Sequence, residues 1–182
     1  MKAAVCYEYG KPLVIEDVAI APPAPGEVKV RLAATAICHS DINMLHGDIP
    51  MPLPIIAGHE SAGYVEEIGT GVTRVKSGDS VAVSLLSSCG KCFYCYRGLP
   101  HLCEDNSNFR KKSPFKNKQG QTVGKGFGVG GFAEYVIVNE SQVVTITREI
   151  SLDRAALLSC GVITGFGAVV NRARGGPLNS AA

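Results

Sequence analysis

Seven cysteines and four histidines are the soft donors of this 182-residue sequence, and four of the cysteines crowd into one stretch. In "SSCGKCFYCYRGLPHLCED", 87–105, Cys89, Cys92, Cys95 and Cys103 follow one another at gaps of two, two and seven residues. Thiols so placed either pair as disulfides or wrap one ion. A disulfide framework belongs to secreted chains with a signal peptide and cysteines throughout, whereas the start "MKAAVCYEYG" is too short and too soon acidic for a signal peptide. Four thiolates complete a tetrahedral zinc shell, and Gly90 and Gly98 relieve the tight turns around it. Such a shell is closed to water and substrate. The expectation is a structural zinc here and chemistry elsewhere.

Three further donors stand apart: Cys38 in "ICHSD", His59 in "AGHESAG" and Cys160 in "LLSCGVITGFG". Singly, each reads as a small buried hydrophobe or a satisfied polar group, and Cys6 in "AVCYE" stays in that class. The other three are set apart by their neighbours: Asp41 after Cys38, Glu60 after His59, and a glycine-opened helix after Cys160. Two cysteines and one histidine leave the fourth tetrahedral position free, the arrangement of a catalytic zinc.

The elements that must position these donors are mostly strands. "KAAVCYE", "LVIEDVAI", "EVKVRLAATAI", "SAGYVEEIG", "SVAVSL" and "AEYVIVNESQVVTI" alternate or cluster β-branched and apolar residues, with "APPAPGE", "IPMPLP" and "KSGD" as breakers between them. Short strands at this spacing predict a mainly β barrel or sandwich and not a parallel sheet. Helix is expected late, from an N-cap at Asp153 through "RAALLSCGVITGFGAVVNRA", apolar nearly all round and therefore buried on more than one side. "VGKGFGVGG", 123–131, precedes a strand and opens no helix, so it reads as a flexible approach to "FAEYVIV" and not as a phosphate loop.

Composition bounds the partners. With 46% hydrophobic and 19% charged residues the chain suffices for one well-buried domain. A net charge of +2 gives no basic field, and the cationic run at 110–118 is interrupted, so nucleic acid is not an expected partner. No apolar stretch is long enough to cross a bilayer, so no membrane partner is expected and the location expected is cytoplasmic.

Taken in order, "CHSD", "GHESAGYVEEIGTGV", "SGDSVAV", the C-x-x-C-x-x-C-x7-C lobe and "LLSCGVITGFGAVVN" resemble the zinc-dependent medium-chain alcohol dehydrogenases over nearly the whole chain. The most specific parts are the G-H-E-x-x-G-x-V-x-x-x-G run from Gly58 and the four-cysteine lobe. The resemblance implies a mainly β, GroES-like barrel catalytic domain over 1–160 with a structural zinc lobe at 87–105. Residues 161–174 would begin the helix leading to a Rossmann domain, and 175–182 would be a tail left out of the fold. The family's strand and G-x-G-x-x-G turn, expected soon after Ala173, are not found, so a catalytic domain inactive by itself is expected.

The same resemblance implies two zinc ions, one on Cys38, His59 and Cys160, the other on Cys89, Cys92, Cys95 and Cys103, with NAD or NADP in a full-length protein. It implies hydride exchange between a small alcohol and its aldehyde or ketone, in a homo-oligomer when full length. Ser40 would relay the alcohol proton, Asp41 would orient His59, and Glu60 would lie near the metal on the side away from substrate. His39 would face the cofactor pyrophosphate, Thr164 would back the nicotinamide, and Leu85 would wall the substrate pocket or simply serve the core. One position departs from the pattern: Asn43 stands where many relatives carry a relay histidine, and His46 is out of register. A zinc-stapled binding module without catalysis and a glutathione-dependent formaldehyde dehydrogenase are the competing readings.

Overall fold

A computed structural model describes residues 1–105 and 113–173; the tail at 175–182 and part of the cationic run at 110–118 lie outside the described residues. The expected strands form, several of them divided. They are β1 (Lys2–Cys6), β2 (Val14–Asp17), β3 (Ala19–Ile20), β4 (Glu27–Ala36), β6 (Glu60–Ile68), β7 (Ser80–Val83), β10 (Tyr135–Asn139) and β11 (Val143–Thr145). Three short strands went unread in the sequence: β5 (Ile55–Ile56), β8 (Phe115–Lys116) and β9 (Thr122–Lys125). At two to four residues they are too short to show a period.

The strands build two curled sheets, a mainly β architecture. One runs β2-β1-β5-β9-β8-β3 and the other β10-β4-β6-β7-β11. Pairing is antiparallel except for β5 with β9, which is parallel and sets Ile55 against Gly124. Ten buried valines form the core on the second sheet, eight of them on its strands, among them Val28 and Val30 of β4, which alternate with the more exposed Lys29 and Arg31. That period of two puts one face of β4 in the core, where each buried valine contributes about 1.5–3 kcal/mol. β6 changes character along its length: Glu60 to Gly63 are buried on both faces, while Tyr64 is exposed and Val65 buried.

The first half of β6 is doubly covered because a helix lies on it. This helix, Leu152–Leu158, packs on β4, β6 and β7, with Ala155 and Ala156 against Ala62. Small residues at that contact let the backbones approach. Here the expectation of one late helix from an Asp153 cap is corrected. The cap position is Ser151, the helix ends at Leu158, and a second helix, Gly161–Gly167, follows with a 44° bend. The second helix is not buried: Val162, Ile163 and Phe166 are all exposed.

A helix also occurs early, where none was expected. It is α1 (His39–His46), whose first turn holds Asp41 and whose end is Gly47 in the left-handed conformation at φ 94°, with the Gly47 N–H returned to Met44. The remaining described α-helices in order are α2 (Phe93–Tyr96), inside the cysteine lobe, and then α3 (Leu152–Leu158) and α4 (Gly161–Gly167). No single described helix is long and apolar enough to cross a membrane.

The reading of 123–131 as flexible is also corrected. It contains most of β9 and a tight turn at Gly126–Gly128, and Gly126 and Gly131 leave no room for a side chain. A Cβ on Gly126 would lie 2.8 Å from the Ile56 carbonyl oxygen, and one on Gly131 would lie 2.3 Å from Ser61 Oγ.

Candidate metal centres

The register of the second sheet brings the first donors together. Ala36, the last residue of β4, pairs with Glu60, the first of β6. Cys38 lies two residues beyond the one and His59 one residue before the other, so sheet pairing alone sets them side by side. Cys160 arrives from the other direction, between α3 and α4. The α3 end is pinned to β6 by Ser159 Oγ, which donates to the Ser61 carbonyl at 3.3 Å.

In this cluster the donor atoms of Cys38, His59, Glu60 and Cys160 all lie within 4.8 Å of one another. Donors on a tetrahedron of bonds about 2.0–2.3 Å long stand roughly 3.3–3.8 Å apart, so the set fits one ion after small adjustment. His59 and Glu60 are buried, and both cysteines are half-buried. Sequence reasoning set Glu60 beside the metal; the structure brings its carboxylate within the donor set itself.

Asp41 organises this centre from beneath. Fully buried, it accepts at Oδ2 from the Cys38 N–H at 3.0 Å, and at Oδ1 from the Gly58 N–H at 3.0 Å and from His59 Nδ1 at 2.9 Å. The last bond leaves Nε2 of His59 for an ion. Burial alone would push the His59 pKa down, but the hydrogen bond and charge of Asp41 outweigh it and hold it above the ordinary value. Burial raises the Cys38 thiol; the Ser40 backbone and hydroxyl, together with His59, more than offset this and bring it below its usual range. Burial, with the neighbouring Cys38 and Glu60, pushes Cys160 up to about 11.

The other expected residues are placed as follows. Ser40 is half-buried on α1, its Oγ 3.7 Å from Cys38 Sγ. His39 opens α1 and is exposed, and Asn43 lies one turn further on, half-buried. Thr164, on α4, is exposed; its amide donates to the Cys160 carbonyl at 2.9 Å and its hydroxyl meets the Cys160 thiol. That contact was not anticipated, although a spacing of four on a helix could have suggested it. Leu85 packs half-buried against the valine core. Phe127 was missed altogether: its ring stands edge to face on His59, with centroids 4.8 Å apart.

The four sulfurs of Cys89, Cys92, Cys95 and Cys103 likewise lie within 4.8 Å of one another, and all seven cysteines are free. Backbone N–H groups converge on them. Cys89 and Asp105 donate to Cys103 Sγ at 3.3 and 3.4 Å, and Lys91 donates to Cys89 Sγ at 3.5 Å. Gly90 and Gly98 take φ of 71° and 72° in the turns between them. Backbone donors at Cys95 and Glu104 hold the Cys92 thiol down at about 6, whereas burial and the neighbouring Cys92 push Cys95 up to about 11. The lobe is tied to the barrel where the Ser88 N–H donates to Ser141 Oγ at 3.0 Å.

The alcohol dehydrogenase GroES-like domain matches residues 24–148. The chain belongs to this family. Among curated relatives of this GroES-like chain, a protein of Mycobacterium tuberculosis provisionally named alcohol dehydrogenase D is 40% identical over 174 residues, 93% of the chain. Among solved structures, an alcohol dehydrogenase zinc-binding domain protein from Burkholderia ambifaria superposes with a TM-score of 0.87 at 32% identity. The benzyl alcohol dehydrogenase of Acinetobacter calcoaceticus gives 0.80 at 32% identity, and both alignments cover 93% of the chain. The chain spans about half the length of these proteins: 47% of the first, 48% of the second and 47% of the third.

Proposed function

We propose that this GroES-like domain is the metal-binding half of an alcohol oxidoreductase, with two zinc ions of different purpose. The observation that carries the reading is the convergence of Cys38, His59 and Cys160, since a domain that only needed stapling would require the four-thiolate lobe alone. Cys89, Cys92, Cys95 and Cys103 hold the closed structural site, and Cys38, His59 and Cys160 hold the open one. A zinc bound there supplies Lewis acidity, which lowers the pKa of an alcohol hydroxyl and polarises a carbonyl.

The chain's own residues do the rest. Asp41 fixes the His59 tautomer and its direction. Ser40, beside Cys38, receives the alcohol proton because a hydroxyl accepts and donates at once. Glu60 supplies a carboxylate at the metal. Asn43 cannot titrate near neutrality, so Ser40 would hand the proton on to water or towards the ribose of a bound nicotinamide. His39 and Thr164 serve a nicotinamide cofactor, NAD or NADP, and Leu85 walls the pocket for a small alcohol or carbonyl compound. Residues 1–160 form the catalytic unit and 161–174 begin the connection to a nucleotide-binding partner domain, a role supported by the exposed apolar face of α4. A cytoplasmic homo-oligomer is the setting we assign to the complete protein.

Two measurements test this. Elemental analysis of protein purified without chelator is expected to give two zinc ions per chain, falling to one in Cys160→Ser. With cobalt in the open site, the visible spectrum should shift when an alcohol or aldehyde is added, and a spectrum indifferent to both would count against substrate binding at the metal. Among the described residues no strand leads through a glycine-rich turn into a helix, so the 182-residue chain by itself is expected to show no nicotinamide-linked turnover.

A further inference from the structure

The turn at Gly126–Gly128 places the Phe127 ring against His59, with centroids 4.8 Å apart and planes at 61°. Phe127 is also the one described non-glycine residue with positive φ, at φ 49° and ψ 30°. That region is strained for a residue with a Cβ, and it persists only where the surroundings impose it. Glycine stands on both sides of Phe127, yet not at the strained position itself.

The surroundings do impose it. The Val129 and Gly130 N–H groups donate to the Gly126 carbonyl at 3.0 and 3.2 Å, Gly131 N–H to the Gly58 carbonyl at 2.8 Å, and Phe132 N–H to the Ala57 carbonyl at 2.9 Å. The whole turn therefore hangs on the two residues that precede His59. The Phe127 ring packs against the buried cluster of Cys6, Met44, Ile55 and Ala57, and Met44 shares α1 with Asp41.

We infer that Phe127 is a positioning residue for His59, a wedge that fixes the imidazole plane from the side that Asp41 does not reach. This rests on the open metal site proposed above. A single hydrogen bond at Nδ1 fixes the tautomer but leaves the ring able to tilt about that bond. An aromatic ring packed across it removes the tilt, so that Nε2 stays aimed at the metal position. The strained turn is kept because relaxing it would withdraw the wedge.

The test is metal affinity at each site, read by competition with a chromophoric chelator, together with the visible spectrum of cobalt in the open site. Wild type should hold two metals. In Phe127→Ala the open site should weaken by about 10–100-fold, the range for groups that orient a ligand, while the four-thiolate site stays unchanged. Phe127→Gly lacks the same ring but takes positive φ without strain, so it should show the same affinity loss with a higher melting temperature than the alanine variant. Phe127→Leu fills much of the space without a flat ring; should the smaller variants fail to fold, it is expected to lose about tenfold and to alter the cobalt spectrum. Wild-type affinity at the open site in the leucine or glycine variant would overturn the assignment. A wild-type chain that binds only one metal would overturn the metal-site reading itself, a result distinguishable from the first.

Discussion

Asp41 joins three backbone and side-chain donors, from Cys38, Gly58 and His59, in a place with no access to water. Replacing it with alanine strands all three, so Asp41→Ala should destabilise the metal-free chain by about 3–5 kcal/mol in urea titrations with chelator present. A loss below about 1 kcal/mol would mean that the three bonds do not persist in solution. At the two proposed metal centres single residues should differ in how much they matter to stability. Cys92→Ser breaks a closed shell whose metal contributes folding free energy, and is expected to cost about 3 kcal/mol or more, roughly 10 °C in melting temperature at this chain length. Cys160→Ser should also remove one zinc, but from a site that is completed by an exchangeable fourth group and lies at the α3–α4 bend, so the melting temperature should move far less. Calorimetry alongside metal analysis reads both, and a reversed order would exchange the structural and open roles.

Between elements, the close approach of β4 and β6 sets the geometry of the whole open site, because it is this pairing that juxtaposes Cys38 and His59. Gly63 is what permits it: a Cβ there would lie 2.1 Å from the Arg31 carbonyl oxygen, a backbone atom that cannot step aside. Gly63→Ala should cost about 3 kcal/mol and lower open-site metal affinity as the strands part. Gly165 makes the opposite case. It lies within α4 with nothing within 4 Å of a built Cβ, so Gly165→Ala should stabilise by up to about 1 kcal/mol and leave both sites untouched. Thermal unfolding of the pair checks the argument, and equal effects would show that strand approach is not the controlling contact. β4 and β6 were legible as strands from their β-branched and apolar residues, although not as partners, whereas α1 was not read. Its eight residues are few for a periodic signal; Asp41 in the first turn and Gly47 at the end were the available cues.

For the molecule as a whole, pH separates the metal-free from the zinc-loaded state. Cys95 and Cys160 keep their protons up to about 11, and zinc must displace them. Affinity at both sites should therefore rise from pH 6 to 9, by about tenfold per pH unit for each proton displaced. The metal-free chain should show the reverse contribution from His59. Its folded pKa lies above the unfolded 6.5, so the stability gained from the Asp41 pair is full below about pH 6.5 and is lost as pH rises through the folded value. Chelator competition and urea midpoints across this range test the two trends, and zinc affinity independent of pH would exclude thiol ligation. By itself the sequence determined the mainly β class, most of the strands and all seven candidate cysteine and histidine ligands, because alternation and donor spacing are local properties of the chain. Only the tertiary structure decided that the last helix is two helices with the second exposed, that Glu60 reaches the donor set, that Thr164 meets Cys160, and that the glycine-rich stretch is a fixed turn. The Thr164 contact is local, a spacing of four within one helix; the others depend on what lies across a contact between residues distant in sequence, or on the space left for a Cβ, and no periodicity along the chain encodes either.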